Sequence, residues 1–120
     1  MDKAKVVLVV EDEPLLLLMA TALVEEAGLQ PLHAGNADEA VAILEARQDI
    51  RIVFTDVEMP GSMDGIKLAA AIRDRWPPIR IVVVSGHSAV RPPQLPEGAL
   101  FFAKPYDQQR IVETLQALAA

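Results

Sequence analysis

Short apolar runs alternate with amphipathic stretches along the whole of this chain, and that alternation constrains the fold more than any other feature. Each apolar run reads as a buried strand, and each amphipathic stretch as a helix lying on one face of a sheet. Strands are expected near 5–10, 30–34, 51–56, 79–84 and 99–103. Helices are expected near 14–27, 37–47, 65–76 and 107–119, with an irregular element around 86–97. Repeated strand then helix argues for an α/β fold rather than two segregated blocks. Four of the runs end in chemistry: Val6 to Val10 in Glu11 and Asp12, Ile52 to Thr55 in Asp56, Ile79 to Val84 in Ser85, and Leu100 to Ala103 in Lys104 and Pro105. In open α/β sheets, ligands bind at the carboxyl ends of the strands.

A chain of 120 residues suggests one domain, 1–120, large enough to bury roughly two-thirds of its unfolded surface. A net charge of −6 with no lysine and arginine cluster disfavours direct binding to nucleic acid. Cysteine is absent, which removes disulfides, thiolate metal sites and cysteine nucleophiles from consideration and suits a reducing cytoplasm. Met1 to Lys5 is charged and runs straight into a short strand, unlike a signal peptide, and the apolar runs are too short to span a bilayer.

Local signals fix several boundaries. Asn36 with Glu39 three residues on forms a capping box for the second helix, and Asp64 and Asp107 are the N-caps expected for the third and last. Pro92, Pro93 and Pro96 argue against a regular helix between the last two strands, because each removes a backbone donor and clashes with the preceding turn. A single helical turn or an irregular loop is expected there, as a plain connector or as a recognition segment.

Each polar group taken singly has a bland explanation. Glu11 to Pro14 can be a solvated acidic turn favoured by a helix dipole, Asp56 a residue shaping the Met59-Pro60-Gly61 turn, and Ser85 a turn hydroxyl. Taken together they suit one site. Glu11, Asp12 and Asp56 offer the hard oxygen ligands that Mg2+ prefers, and would repel one another without a cation. Lys104 presents a compact ammonium at the end of an apolar strand, and Gly86 beside Ser85 lets the backbone approach a ligand closely.

In this order, Val10-Glu11-Asp12-Glu13-Pro14, Asp56 with Met59-Pro60 and Met63-Asp64-Gly65 after it, Val84-Ser85-Gly86, and Lys104-Pro105 resemble the receiver domain of two-component response regulators. The resemblance covers essentially the whole chain. It implies a flavodoxin-like, doubly wound sheet of five parallel strands in the order 2-1-3-4-5, with helices on both faces. It also implies that Asp56 is the phosphoacceptor, charged by a histidine kinase or a histidine phosphotransfer protein. Glu11, Asp12, Asp56 and the backbone carbonyl of Glu58 would bind Mg2+, Ser85 and Lys104 would grip the phosphoryl oxygens, and the Lys104-Pro105 peptide would be cis. Phosphorylation would draw Ser85 inward and switch the surface offered to a downstream protein, whose identity the residues do not give.

The sequence departs from the common receiver pattern at four places. Phe101, three residues before Lys104, stands where an aromatic moves with the switch, and lacks the hydroxyl of the usual tyrosine; core packing is its alternative role. Gly61-Ser62 lengthens the loop after Asp56 by one residue. The proline-rich stretch shortens the fourth helix and alters a face that many receivers use for effector contact or a homodimer. The first helix is apolar around more than one face. Leu16, Met19, Ala20 and Leu23 are expected to face the core, leaving Leu17, with Leu18 or Leu15, for kinase docking near Pro105. His87 and Glu58, each two residues beyond a site residue, are candidates for tuning hydrolysis. His33 is expected to be a packed or edge residue, and Trp76 to pack the end of the third helix.

Two other classes compete with the receiver. A haloacid dehalogenase-type phosphatase also uses an Asp nucleophile, a hydroxyl, a Lys and Mg2+, and Asp56-Val57-Glu58 mimics its nucleophile and acid. Against it, the acidic pair comes first in the chain, and no insertion is long enough to cap a substrate. A phosphate-independent adaptor would keep the fold without the chemistry, which the complete acidic pocket argues against.

Overall fold

The structure is a computed structural model and describes residues 5–61, 63–87 and 90–120. Among these, five strands form one sheet: β1 (Val6–Val10), β2 (Gln30–Ala34), β3 (Ile50–Asp56), β4 (Arg80–Ser85) and β5 (Leu100–Ala103). Every neighbouring pair is parallel, and the order is β2-β1-β3-β4-β5. Among the described residues four helices cover the sheet: α1 (Pro14–Glu26), α2 (Ala37–Ala46) and α3 (Gly65–Arg75) each connect two strands, and α4 (Gln108–Ala119) follows β5. The fold is the α/β doubly wound arrangement that the alternating pattern implies.

A parallel sheet is covered on both sides, so its central strands are apolar throughout rather than alternating. β1 is buried at all five positions. Its odd and even residues serve different cores: Val6, Leu8 and Val10 pack with Val53, Ile81 and Val83 under α2 and α3, whereas Val7 and Val9 pack with Ile52, Phe54, Val82 and Val84 under α1 and α4. Each fully buried aliphatic side chain contributes roughly 1.5–3 kcal/mol. Two opposed cores therefore hold the strand ends in fixed register, and the site depends on that.

The helix starts follow their caps. Asp64 Oδ1 accepts from Lys67 N–H at 2.9 Å and Asp107 Oδ1 from Arg110 N–H at 3.3 Å. Asn36 Oδ1 accepts from Glu39 N–H at 2.9 Å, but the Glu39 carboxylate returns to Gly35 N–H at 3.2 Å rather than to Asn36 N–H, so the box closes one residue early. Glu13 caps α1 by accepting from Leu15 N–H and Leu16 N–H.

No regular helix is assigned between β4 and β5 among the described residues, as the prolines require. Ser88 and Ala89 of that segment lie outside them, as do Ser62 of the lengthened loop and Met1 to Ala4. Turns closed by Leu95 N–H to Pro92 O and Ala99 N–H to Pro96 O, both 3.2 Å, set the path. Leu95 and Ala99 reach into the α2/α3 core from this irregular segment.

The expected phase of α1 is corrected. Leu17 is half-buried and packs on the α1/α4 core with Ala20, Leu23, Val24 and Ala27, whereas Met19 is 39% exposed. Ala20 and Leu23 face the core as expected, and the buried stripe runs 17, 20, 23, 24, 27. Five successive apolar residues, Leu15 to Met19, carry no periodic signal that could fix the phase. Trp76 caps the end of α3, half-buried against the core, with the Arg75 guanidinium 4.4 Å over its ring.

Candidate functional site

Parallel strands bring their carboxyl ends to one edge, and backbone bonds pin each site residue there. Glu11 N–H donates to Ala34 O at 3.0 Å, Val57 N–H to Val84 O at 2.9 Å, and Lys104 N–H to Ser85 O at 2.8 Å. The ladder therefore runs past β1, β3 and β5 into the loops that carry chemistry. Glu11, Asp56 and Ser85 are all buried, and among the described residues every buried side-chain polar atom has a partner.

Asp56 is the centre. The Lys104 ammonium donates to Oδ2, and Glu58 N–H donates to Oδ1 at 3.0 Å. Burial pulls the Lys104 pKa down, but the hydrogen bond to Asp56 and the charges of Asp56 and Glu11 outweigh it, leaving the group above its ordinary value. It is thus a fixed cation on a buried carboxylate. The Lys104-Pro105 peptide is cis and Pro105 is exposed.

Glu11 lies beside this pair. Burial first, then the charge of Asp56 and a hydrogen bond to it, raise the Glu11 pKa from 4.5 to about 7, against the pull of Glu13 N–H and Lys104. Glu13 N–H donates to Glu11 Oε2 at 3.1 Å, and the His33 ring nitrogen lies 3.0 Å from Glu11 O. His33 is exposed on β2 and meets the site at that carbonyl. Asp12 is exposed and does not converge with the other two carboxylates; among the described residues, no group of three acidic, histidine or cysteine side chains is placed to hold a metal ion. The donor chemistry nevertheless fits Mg2+: Glu11 and Asp56 are two buried carboxylates, and burial, with the Asp56 charge added to it, drives Glu11 towards protonation, a cost that a divalent cation on hard oxygens relieves.

The Ser85 hydroxyl is engaged by Glu58 and His87. It donates to Glu58 Oε2 at 2.7 Å, Gly86 N–H donates to Glu58 Oε1 at 3.1 Å, and His87 N–H donates to Ser85 Oγ at 3.1 Å. The exposed His87 ring stands 3.7 Å from the same Glu58 carboxylate. Phe101 is half-buried against the α2/α3 core. Leu15, Leu18 and Met19 form one exposed apolar face of α1, with Leu15 and Leu18 at 61% and 67%.

Gly65 enters the sequence reading only as the end of the Met63-Asp64-Gly65 motif, and its role shows in the structure. A Cβ there would fall 2.1 Å from Asp56 O, so only glycine lets the start of α3 seat behind Asp56, with Gly65 N–H donating to Val57 O at 2.9 Å. The signal available was a glycine just inside a helix, directly after the cap Asp64.

Residues 7–116 match the family described as response regulator receiver domain. The chain belongs to that family. This receiver is 31% identical over 110 residues to the nitrogen assimilation regulatory protein NtrX of Azorhizobium caulinodans, covering 88% of this chain and 24% of that protein. The receiver thus spans about a quarter of the length of that relative. A response regulator receiver domain protein from Clostridium thermocellum superposes with a TM-score of 0.84 at 25% identity, covering 95% of this chain and 93% of that one. The response regulator TrrA from Thermotoga maritima, solved in complex with Mg2+ and BeF, gives 0.77 at 24% identity over 95% of this chain and 98% of that one, and carries the fold alone. Among the described residues, no helix of the receiver is long and apolar enough to cross a membrane. Family membership sets aside the haloacid dehalogenase reading.

Proposed function

We propose that this receiver takes a phosphoryl group onto Asp56 from a histidine kinase or a histidine phosphotransfer protein, and offers a changed surface to a downstream protein. The observation that carries this reading is the buried Asp56 carboxylate held by the Lys104 ammonium at the carboxyl edge of the sheet. An Asp56 oxygen would attack phosphorus, forming an O–P bond, while the electron pair of the breaking P–N bond stays with the donor imidazole. Such transfer asks the protein for position and charge rather than covalent work. Lys104 would neutralise a phosphoryl oxygen, and Ser85 and Gly86 N–H would donate to others. Glu11 and Asp56 with the Glu58 carbonyl would hold Mg2+, joined by Asp12 once its exposed side chain turns inward; the ion supplies further positive charge to the phosphoryl oxygens when bound.

The exposed face of Leu15, Leu18 and Met19, next to the site on α1, suits the apolar side of a donor helix. The irregular segment before β5 and Phe101 are the surfaces through which the changed state would reach a partner. Incubation with a phosphorylated histidine phosphotransfer protein tests the reading. An acyl phosphate on this chain that hydroxylamine removes is expected, and a hydroxylamine-stable adduct would contradict it.

A further inference from the structure

The Ser85 hydroxyl and Gly86 N–H together form a seat for an anion, and that seat is filled by a carboxylate of the same chain. Glu58 reaches back with both oxygens, Oε2 to Ser85 Oγ at 2.7 Å and Oε1 to Gly86 N–H at 3.1 Å. Its own backbone N–H is fixed on Asp56 Oδ1 at 3.0 Å, so one residue bridges the expected acceptor and the donors that a phosphoryl group on it would need. The seat is well ordered from behind: Ser85 is buried, and His87 N–H fixes its oxygen at 3.1 Å so that the hydroxyl hydrogen points at Glu58. Hydrogen bonds to a charged acceptor are the stronger kind, and two of them cooperate here.

We infer that Glu58 is a tethered occupant of the phosphoryl seat, a latch that must leave before Ser85 and Gly86 can serve a phosphoryl group on Asp56. This deepens the proposed function and rests on Asp56 as the acceptor. Both ligands of the seat are anionic oxygens, so they compete for the same two donors. The displaced carboxylate has somewhere to go: His87 stands 3.7 Å away on the solvent side and is largely exposed. Release would also free the backbone that follows Glu58, coupling occupancy of the seat to the loop after β3. Glu58 acts here as a positioning residue, through Ser85 and Gly86.

Three variants separate this latch from a general effect of negative charge. Glu58→Ala removes the carboxylate; Glu58→Asp keeps the charge but falls short by one methylene, about 1.5 Å; Asp56→Asn tests the acceptor. With Mg2+ and acetyl phosphate, Glu58→Ala and Glu58→Asp are expected to phosphorylate about tenfold faster than the unmodified protein, the equivalent of one charge-assisted hydrogen bond at the low end of its range. Without any phosphodonor, the Gly86 amide should exchange its hydrogen faster in both. An unchanged rate with unchanged Gly86 exchange overturns the latch. So does a fast Glu58→Ala with a Glu58→Asp that behaves as the unmodified protein, since charge alone then accounts for it. An adduct that persists in Asp56→Asn overturns the acceptor assignment instead, and Gly86 exchange then still reports on the latch by itself.

Discussion

Gly65 stands so close behind Asp56 that a Cβ atom on it would lie 2.1 Å from the Asp56 carbonyl oxygen and 2.8 Å from Val57 Cα. Both obstacles are backbone, so neither can swing aside, and the start of α3 or the end of β3 would have to move. Gly65→Ala should therefore cost about 1–3 kcal/mol of stability, read from urea unfolding midpoints. It should also depress Asp56 phosphorylation in the fraction that folds, because the displaced backbone carries the acceptor.

Stability of the metal-free protein should fall with rising pH through the window set by Glu11. Its pKa is about 7 in the fold against 4.5 in the unfolded chain. The native state thus binds the extra proton, and the stabilisation it brings is complete below about 4.5 and lost as pH rises through about 7. Unfolding midpoints in a chelator should drop between pH 5 and 8, and Glu11→Gln should flatten the curve. Added Mg2+ should oppose the drop, and its affinity should rise over the same window, because it needs the ionised carboxylate.

On α1, Leu17 and Leu18 should part company. Leu18 is 67% exposed, so Leu18→Glu should leave stability within about 0.5 kcal/mol and slow phosphotransfer from a cognate kinase. Leu17 packs on the α1/α4 core, so Leu17→Glu should instead destabilise by about 1–3 kcal/mol. Equal phosphotransfer rates for Leu18→Glu and the unmodified protein would remove the docking role.

Asn36→Ala deletes the side chain that accepts Glu39 N–H at 2.9 Å. A loss of about 1 kcal/mol is expected. The Asn36 side chain hydrogen-bonds Glu39 rather than a site residue, so phosphorylation of the folded protein should be unaffected.

The fold was legible because a doubly covered parallel sheet writes itself as continuous apolar runs, and because Asn36, Asp64 and Asp107 mark helix starts on their own. Pro92, Pro93 and Pro96 announced as plainly the irregular path of the described residues before β5. The phase of α1 was hidden, since Leu15 to Met19 are apolar all round and only packing against α4 and the sheet selects Leu17 over Met19. At the site, Glu11, Asp56, Ser85 and Lys104 could be gathered from their places after strands. The hold of Glu58 on Ser85 and Gly86 could not, because it joins loops 27 and 28 residues apart. Nor could the exposure of Asp12, which a neighbouring position in sequence does not reveal.

Intact mass after incubation with Mg2+ and acetyl phosphate tests the central claim most directly. One phosphoryl adduct per chain, labile at neutral pH, dependent on Mg2+ and absent from Asp56→Asn, is the expected result. No adduct with the folded protein, or an adduct retained when Asp56 is replaced, would contradict it.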